Sequence, residues 1–439
     1  MAEQEKRVMD KQQIDEMLRY IEDLMAEENY EKAQDVLHTA MRSDFYDIRI
    51  YERYSFVLRM MDLDKGAEVF EYCVMNPGDP EAFYKVAHTL MADQQFGPAL
   101  NPLSRVIELV PMAANAIFEL GYCLMKEFHL EAAVEHFKHA HEMAPSPNTA
   151  FYVGYISMLL KDIDATKAVV PFIEEEYQKA AQEPVTLNIL KGMIERYEAF
   201  PPRDNNLRDW HFVQYGTPLL RLSDEDLEKQ TDLNGRYVFI NYGFLNVAIV
   251  LETFRRMVQE VPGFTKFDYI VPTSMTAAPV AFALSEMLGV QLANPQALES
   301  PMKGLVVATW TNEVDMIAPR IAGNPNVTLF SFALGFTQQA GLCPEMVGYL
   351  DQAHRMPWEE TVQVTEEGER KHRPAMTAPP EVIGHAILDR LEAVNQAELD
   401  RVITYYKERA HLLKVGENIN APRLGFQIES PVQSLRMFV

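Results

Sequence analysis

Cysteine is nearly absent from this chain of 439 residues; Cys73, Cys123 and Cys343 are all it has. They are far apart and form neither a metal-ligand spacing nor a disulfide framework. Cys73 and Cys123 fall inside apolar helical patterns, where burial is expected. Also missing is any run of about 18 apolar residues, which excludes a membrane-spanning helix. The charged start, Met1 to Lys11, has no apolar core, so no secretory leader is expected and the expected compartment is cytoplasmic. There is no Gly-x-x-x-x-Gly-Lys phosphate loop, no Gly-x-Gly-x-x-Gly and no Gly-x-Ser-x-Gly, which removes the common nucleotide and acyl-transfer signatures. Positive charge is scarce as well. Forty Lys and Arg face 64 Asp and Glu, a formal net charge of −24. Such a surface repels phosphate backbones and anionic lipid, so neither nucleic acid nor membrane is an expected partner. It can attract a basic one, although acidity is also simply a route to solubility.

What is present is a period. Between Pro80 and Pro145 one pattern occurs twice, 34 residues apart: Phe83 matches Ile117, Tyr84 matches Phe118, Val86 matches Leu120 and Ala87 matches Gly121. Ala99 matches Ala133, Leu103 matches Phe137, and Pro111 matches Pro145, with Pro77 one period upstream. Small residues at fixed places let paired helices approach closely, and proline stops each second helix. The pattern resembles the tetratricopeptide repeat, best in 114–147, where Leu120-Gly121, Ala133, Phe137, Ala140 and Pro145 hold the family's signature positions. Ile117 stands where that family usually has Trp.

The period extends both ways. Ile14, Met17, Leu18, Ile21 and Leu24 recur at helix spacing, and Ala33 and Ala67 are again 34 residues apart, about two residues out of register with the later copies. A fifth pair is predicted over 147–178, with Gly154 at the small position and Thr166 and Val170 replacing Ala and Phe. A further helix over 186–199 caps the stack. The run Pro201-Pro202-Arg203-Asp204-Asn205-Asn206 marks a linker. The helical repeat domain is therefore placed at 12–200.

After 207 the pattern becomes strand-helix alternation: strands at 237–241, 267–271, 304–309 and 327–333, and helices at 246–261, 276–288 and 313–322. That order predicts a parallel sheet covered on both faces. A charged hairpin is expected over 358–373 with a turn at Glu367-Gly368, then helices at 381–394 and 396–415. The α/β domain is placed at 207–415, and 416–439 is a tail whose Leu424, Phe426, Ile428, Phe438 and Val439 would pack on a partner.

Two segments of this half resemble type I phosphoribosyltransferases, and the resemblance covers roughly 100 residues. One is the strand and loop Asp268 to Pro279. The other is Leu305-Val306-Val307-Ala308-Thr309-Trp310-Thr311-Asn312-Glu313. The resemblance implies a pyrophosphate loop at the first and a ribose- and magnesium-organising acidic pair at the second. Thr309-Trp310 stands where the acids belong, the loop 311–314 lacks glycine, and Glu313 would repel a phosphate. The expected outcome is a fold kept with transferase chemistry lost and no cofactor.

Two sets of candidate residues follow. In repeats of this kind the first helices line a concave face, here Glu81, Tyr84, His88, Asn115, Phe118, Tyr122, Lys126, Asn148, Phe151 and Tyr155. An aromatic stripe beside amides suits an extended or helical peptide, whereas the same rings could pack between repeats. At the C-terminal ends of the strands, Thr273, Ser274, Thr276, Thr311 and Asn312 offer hydrogen bonds to a small phosphorylated ligand, or serve as helix caps. His136, His139 and His141 share a helix but lack an acidic ligand, so no metal site is expected. The leading expectation is a two-domain scaffold, an α-solenoid followed by a phosphoribosyltransferase-like α/β domain, binding a protein or peptide partner. The alternatives are a diverged enzyme acting on a nucleotide or sugar phosphate, and a chaperone of the bacterial export type.

Overall fold

The computed structural model describes residues 11–42, 46–180, 185–226, 234–364, 370–416, 425–426 and 430–432. The chain divides into two compact units, Met1–Leu190 and Lys191–Val439.

The first unit is a succession of helix pairs: α1 (Lys11–Ala26) with α2 (Tyr30–Met41), α3 (Ile48–Met60) with α4 (Asp64–Met75), α5 (Pro80–Ala92) with α6 (Phe96–Leu109), α7 (Ala114–Lys126) with α8 (Leu130–Met143), and α9 (Pro147–Leu159) with α10 (Ile163–Ala180). A further helix, α11 (Val185–Ala199), runs across the division between the units. Ala33, Ala67, Ala87, Ala99, Leu103, Ala133 and Phe137 are all fully buried. At Gly121 a Cβ would already lie 3.2 Å from the Phe137 ring, which is why the position stays small. Pro77, Pro111 and Pro145 each follow the end of a second helix. The period is also written in the backbone. The turn inside each pair contains one residue with positive φ: Glu28, Asp62, Gln94, Phe128 and Lys161. The step from Asp62 to Gln94 is the shortest, two residues under the 34-residue period, and it is the offset between early and late copies.

In the fifth pair Thr166 replaces the usual alanine without loss, because its buried hydroxyl donates to the carbonyl of Gly154 at 2.9 Å. A Cβ on Gly154 would lie 2.7 Å from Cγ2 of Val169. Overpacking of this kind costs about 1–3 kcal/mol, and removing a helix glycine returns roughly 0.5–1 kcal/mol. Gly154→Ala is therefore expected to lower stability by about 1 kcal/mol net, measured by urea unfolding followed with far-UV circular dichroism. A stabilised variant would mean that Val169 yields freely.

The second unit opens with α12 (Leu207–Tyr215), started by Asn206, whose side chain accepts from the Asp209 amide, and stopped by Gly216 in the left-handed region. The short α13 (Ser223–Asp226) follows. The sheet strands are β1 (Tyr237–Asn241), β2 (Tyr269–Pro272), β3 (Gln291–Leu292), β4 (Gly304–Ala308), β5 (Val327–Gly335) and β6 (Met346–Arg355), in the order β1-β6-β5-β4-β2-β3. Every pairing is parallel. β4 and β5 are buried along their whole length, as continuous apolar strands require. The connecting helices are α14 (Phe244–Glu260), α15 (Ala278–Leu288) and α16 (Thr311–Ile321).

β6 was not expected and lies inside the sheet, between β1 and β5. Its apolar pattern is interrupted by Asp351, Gln352 and His354. The hairpin strands β7 (Thr361–Val364) and β8 (Arg370–Arg373) pair antiparallel; its turn at Glu367-Gly368 lies outside the described residues. The helix expected over 381–394 is shorter, α17 (Pro380–Leu388), and a 3-10 turn precedes α18 (Gln396–Glu408). In the tail, Phe426 does not face a partner. It is buried, bridges to Ala340 and lies against Tyr215, because its backbone and ring complete this unit's own core. Leu424, Ile428, Phe438 and Val439 lie outside the described residues.

Candidate functional site

On the repeats, the first helices carry one exposed polar row, Glu81 on α5, Asn115 on α7 and Asn148 on α9. One turn further along lies a half-buried row. Tyr84 donates to Glu119 at 2.8 Å, and His88 places Nε2 3.1 Å from the same carboxylate. Phe118 and Tyr122 remain half-buried. Tyr152 meets both nearly at right angles, at 5.3 and 5.9 Å between ring centres, and stacks on Phe137 at 5.0 Å. Burial pushes the Tyr152 phenol up to about 12. Tyr152 was absent from the expected set; its place beside Phe151 was the available signal.

Phe151, Tyr155 and Lys126 are corrections. Their register suggested a gripping surface, but all three are buried. Phe151 stacks on Tyr155, and the Lys126 ammonium lies over the rings of Phe96 and Tyr122 at 5.6 and 5.4 Å. Rings at this spacing fill the gap between successive pairs, and the lysine stem packs with them. The rest, His88, Asn115 and Asn148 exposed and Tyr84, Phe118 and Tyr122 half-buried, are brought together on neighbouring first helices.

The histidines of α8 are engaged separately. His136 Nδ1 meets the Ala132 carbonyl at 2.8 Å and His141 Nδ1 meets the Thr149 hydroxyl at 2.8 Å. Among the described residues no group of three His, Cys, Asp or Glu is placed to hold a metal ion.

In the second unit the chain leaves β2 toward β3 on one side and leaves β4 toward β5 on the other. The crevice of such a sheet opens where those directions diverge, at the C-terminal ends of β2 and β4. There the structure places the Glu313 carboxylate, from the first turn of α16. Its side chain is buried and accepts from the Ser274 hydroxyl at 2.6 Å, the Thr309 amide at 2.6 Å and the Thr309 hydroxyl at 2.9 Å. The Thr273 hydroxyl lies 2.9 Å from it and 3.0 Å from the Val307 carbonyl. Backbone and hydroxyl donors before a helix N-terminus are the usual surroundings of a bound anion, and here the anion is the chain's own.

Ser274 also accepts from the Ala277 amide at 3.0 Å, in the turn that leads into α15. Thr311 does not cap its helix. Trp310 holds the N-cap position, and the buried Thr311 hydroxyl accepts from the Gly335 amide at 2.8 Å, tying α16 to β5. Asn312 is exposed, and the Thr276 carbonyl accepts from the Trp358 indole at 3.1 Å. Nearby, Asp351 is fully buried, accepts from Tyr242 at 2.8 Å and lies 3.1 Å from His354 Nδ1. Trp310 meets the His354 ring edge-on at 4.6 Å. Asp351 and His354 are not among the candidate residues of the sequence because their strand, β6, is not predicted there.

No family model matches this chain, and none of the curated proteins does. Among solved structures, residues 41 to the end of MamA from Desulfovibrio magneticus RS-1 align at 18% identity over 39% of this chain and 98% of that one, with a TM-score of 0.25. YrrB, described as a TPR protein with an unusual peptide-binding site, aligns at 19% over 40% of this chain and 90% of its own, with a TM-score of 0.26. An O-GlcNAc transferase mutant from Thermobaculum terrenum aligns at 14% over 71% and 57%, with a TM-score of 0.25. Likenesses this weak carry no argument. The repeat architecture rests on the helix pairs themselves.

Proposed function

We infer that this chain is an interaction protein: its repeats hold a protein or peptide partner, and its α/β unit, built on the plan of a phosphoribosyltransferase, performs no transferase chemistry. The observation that carries the binding half is the exposed row Glu81, Asn115, Asn148. Three successive first helices present polar side chains at one register, beside the half-buried rings of Tyr84, Phe118 and Tyr122. Amides at repeat spacing can hold successive peptide groups of an extended segment, and half-buried rings give it contact area. The loss of transferase chemistry is supported by the crevice, where Glu313 uses the donors that a phosphate would need.

Each amide contact is worth about 0.5–1.5 kcal/mol. Peptides selected against the full chain from a display library are therefore expected to bind Asn115→Ala, Asn148→Ala about tenfold more weakly, or worse, at an unchanged melting temperature. Selected peptides indifferent to both substitutions would remove this face from consideration. Phe118→Ala is the poorer test, because the ring is part of the packing against Phe137 and Tyr152 and its loss destabilises the stack.

A further inference from the structure

Away from that row, α2 to α5 enclose a cleft of about 620 Å³ at the turns within the early pairs. Behind its lining Tyr54 and Phe70, both buried, stack with ring centres 4.3 Å apart and planes within 4°, which makes the back of the cleft rigid and apolar. The Tyr54 hydroxyl is engaged by His38. Leu58 and Leu90 also line it. Its mouth is acidic, with Asp62, Asp64 and Asp93 in the lining against a single cation, Lys65. Asp64 is held by Arg59 at 2.9 Å, which leaves Asp62 and Asp93, both exposed, to set the field at the opening. In the lining Leu63 is 47% exposed and carries the apolar surface outward.

We propose that this cleft is an anchor pocket for an arginine or lysine side chain flanked by apolar residues, supplied by a protein partner; the proposal rests on the interaction reading above. Size, shape and charge point the same way. Pockets for side chains and small ligands run to about 300–1,000 Å³ with mostly apolar linings. A long basic side chain lays its methylenes along the apolar lining at Leu58, Leu63 and Leu90 and keeps its charge at the mouth, toward Asp62 and Asp93. An acidic side chain meets repulsion from the same carboxylates, and the net charge of −24 extends that discrimination to the approach. Leu63 receives a flanking apolar residue.

The test uses the full chain and three blocked tripeptides, acetyl-Leu-Arg-Leu-amide and its Gln and Glu counterparts, titrated by saturation-transfer NMR. The arginine peptide is expected to bind about tenfold more tightly than the glutamine one, the glutamate peptide more weakly than both, and Asp62→Asn with Asp93→Asn to abolish the arginine advantage. Thr89→Trp, at the rim, should fill the cleft and remove binding of all three. The asparagine pair preserves shape, so the charge result stands even if the tryptophan variant is poorly folded. Equal binding of the arginine and glutamine peptides, or arginine preference surviving the asparagine pair, overturns the pocket. The row at Asn115 and Asn148 is read by different variants and different peptides, so failure here leaves that face untouched, and failure there leaves the cleft.

Discussion

Glu313→Ala should cost the second unit about 3–5 kcal/mol and turn the crevice into an anion site. The carboxylate accepts from the Thr309 amide, the Thr309 hydroxyl and the Ser274 hydroxyl, with Thr273 alongside. Hydrogen bonds to a charged acceptor are worth about 1.5–3 kcal/mol each, and a buried donor left without one costs about 1–3. The hydroxyls can turn elsewhere, Thr273 to Val307 above all. The Thr309 amide has no such freedom, so the loss is large but less than the plain sum. All three tryptophans, Trp210, Trp310 and Trp358, lie in this unit, and urea unfolding followed by their fluorescence reads it without interference from the repeats. The functional signature is rescue. Added sulfate or phosphate should restabilise Glu313→Ala and leave the native chain unchanged, because in the native chain the donors already hold a carboxylate. Glutamine keeps one acceptor oxygen and should fall between. An alanine variant of native stability, or one deaf to anions, would mean that Glu313 is not the resident anion of this crevice and would reopen the site to a natural ligand.

That carboxylate shows where sequence reasoning reached and where it stopped. Glu313 was legible as a group that would repel a phosphate; that its own carboxylate takes up the donors at the strand ends depends on Ser274 and Thr273, about forty residues away in sequence, arriving beside it. The repeats were legible because close packing leaves little choice at Gly121, Ala133 or Gly154, and a restricted choice repeats visibly. The turns between their helices were not legible in the same way. Positive φ at Glu28, Asp62, Gln94, Phe128 and Lys161 falls on five different residue types, none of them glycine, so composition gives no mark of it. Register shows which face of a helix a residue occupies, not how deep that face lies. Asn115 and Asn148 stayed exposed as expected, whereas Phe151, Tyr155 and Lys126, from the same reading, are covered. β6 was hidden for an electrostatic reason. Asp351 breaks its apolar pattern and is tolerated inside the sheet because Tyr242 donates to it from the end of β1.

Mild acid should unfold the second unit early, and one histidine should account for much of it. His211 on α12 is completely buried; Nε2 meets the Thr217 hydroxyl at 3.0 Å and Nδ1 is buried with no hydrogen-bond partner. Burial pulls its pKa from the ordinary 6.5 down to about 3, since a charged imidazole would lose its hydration without finding a counter-ion. The sign follows directly. The unfolded chain takes up this proton near pH 6.5 and the folded chain does not, so stability is complete above 6.5 and falls as pH drops toward about 3, at about 1.4 kcal/mol per unit. Between pH 7 and pH 5 the loss is about 2 kcal/mol. In the first unit His38, lowered to about 4 by burial and then by Arg42, contributes in the same direction. Glu260, held at about 2 by hydrogen bonds from Arg256 and Lys407, also loses stability in acid, but only below the ordinary carboxylate range, outside this interval. Tryptophan fluorescence again isolates the second unit. His211→Gln keeps a hydrogen-bonding side chain and cannot take up the proton, so its unfolding free energy should change between pH 7 and pH 5 by about 2 kcal/mol less than that of the native chain. The same fall in both proteins would show that the imidazole reaches water in the folded state and is not sealed within α12.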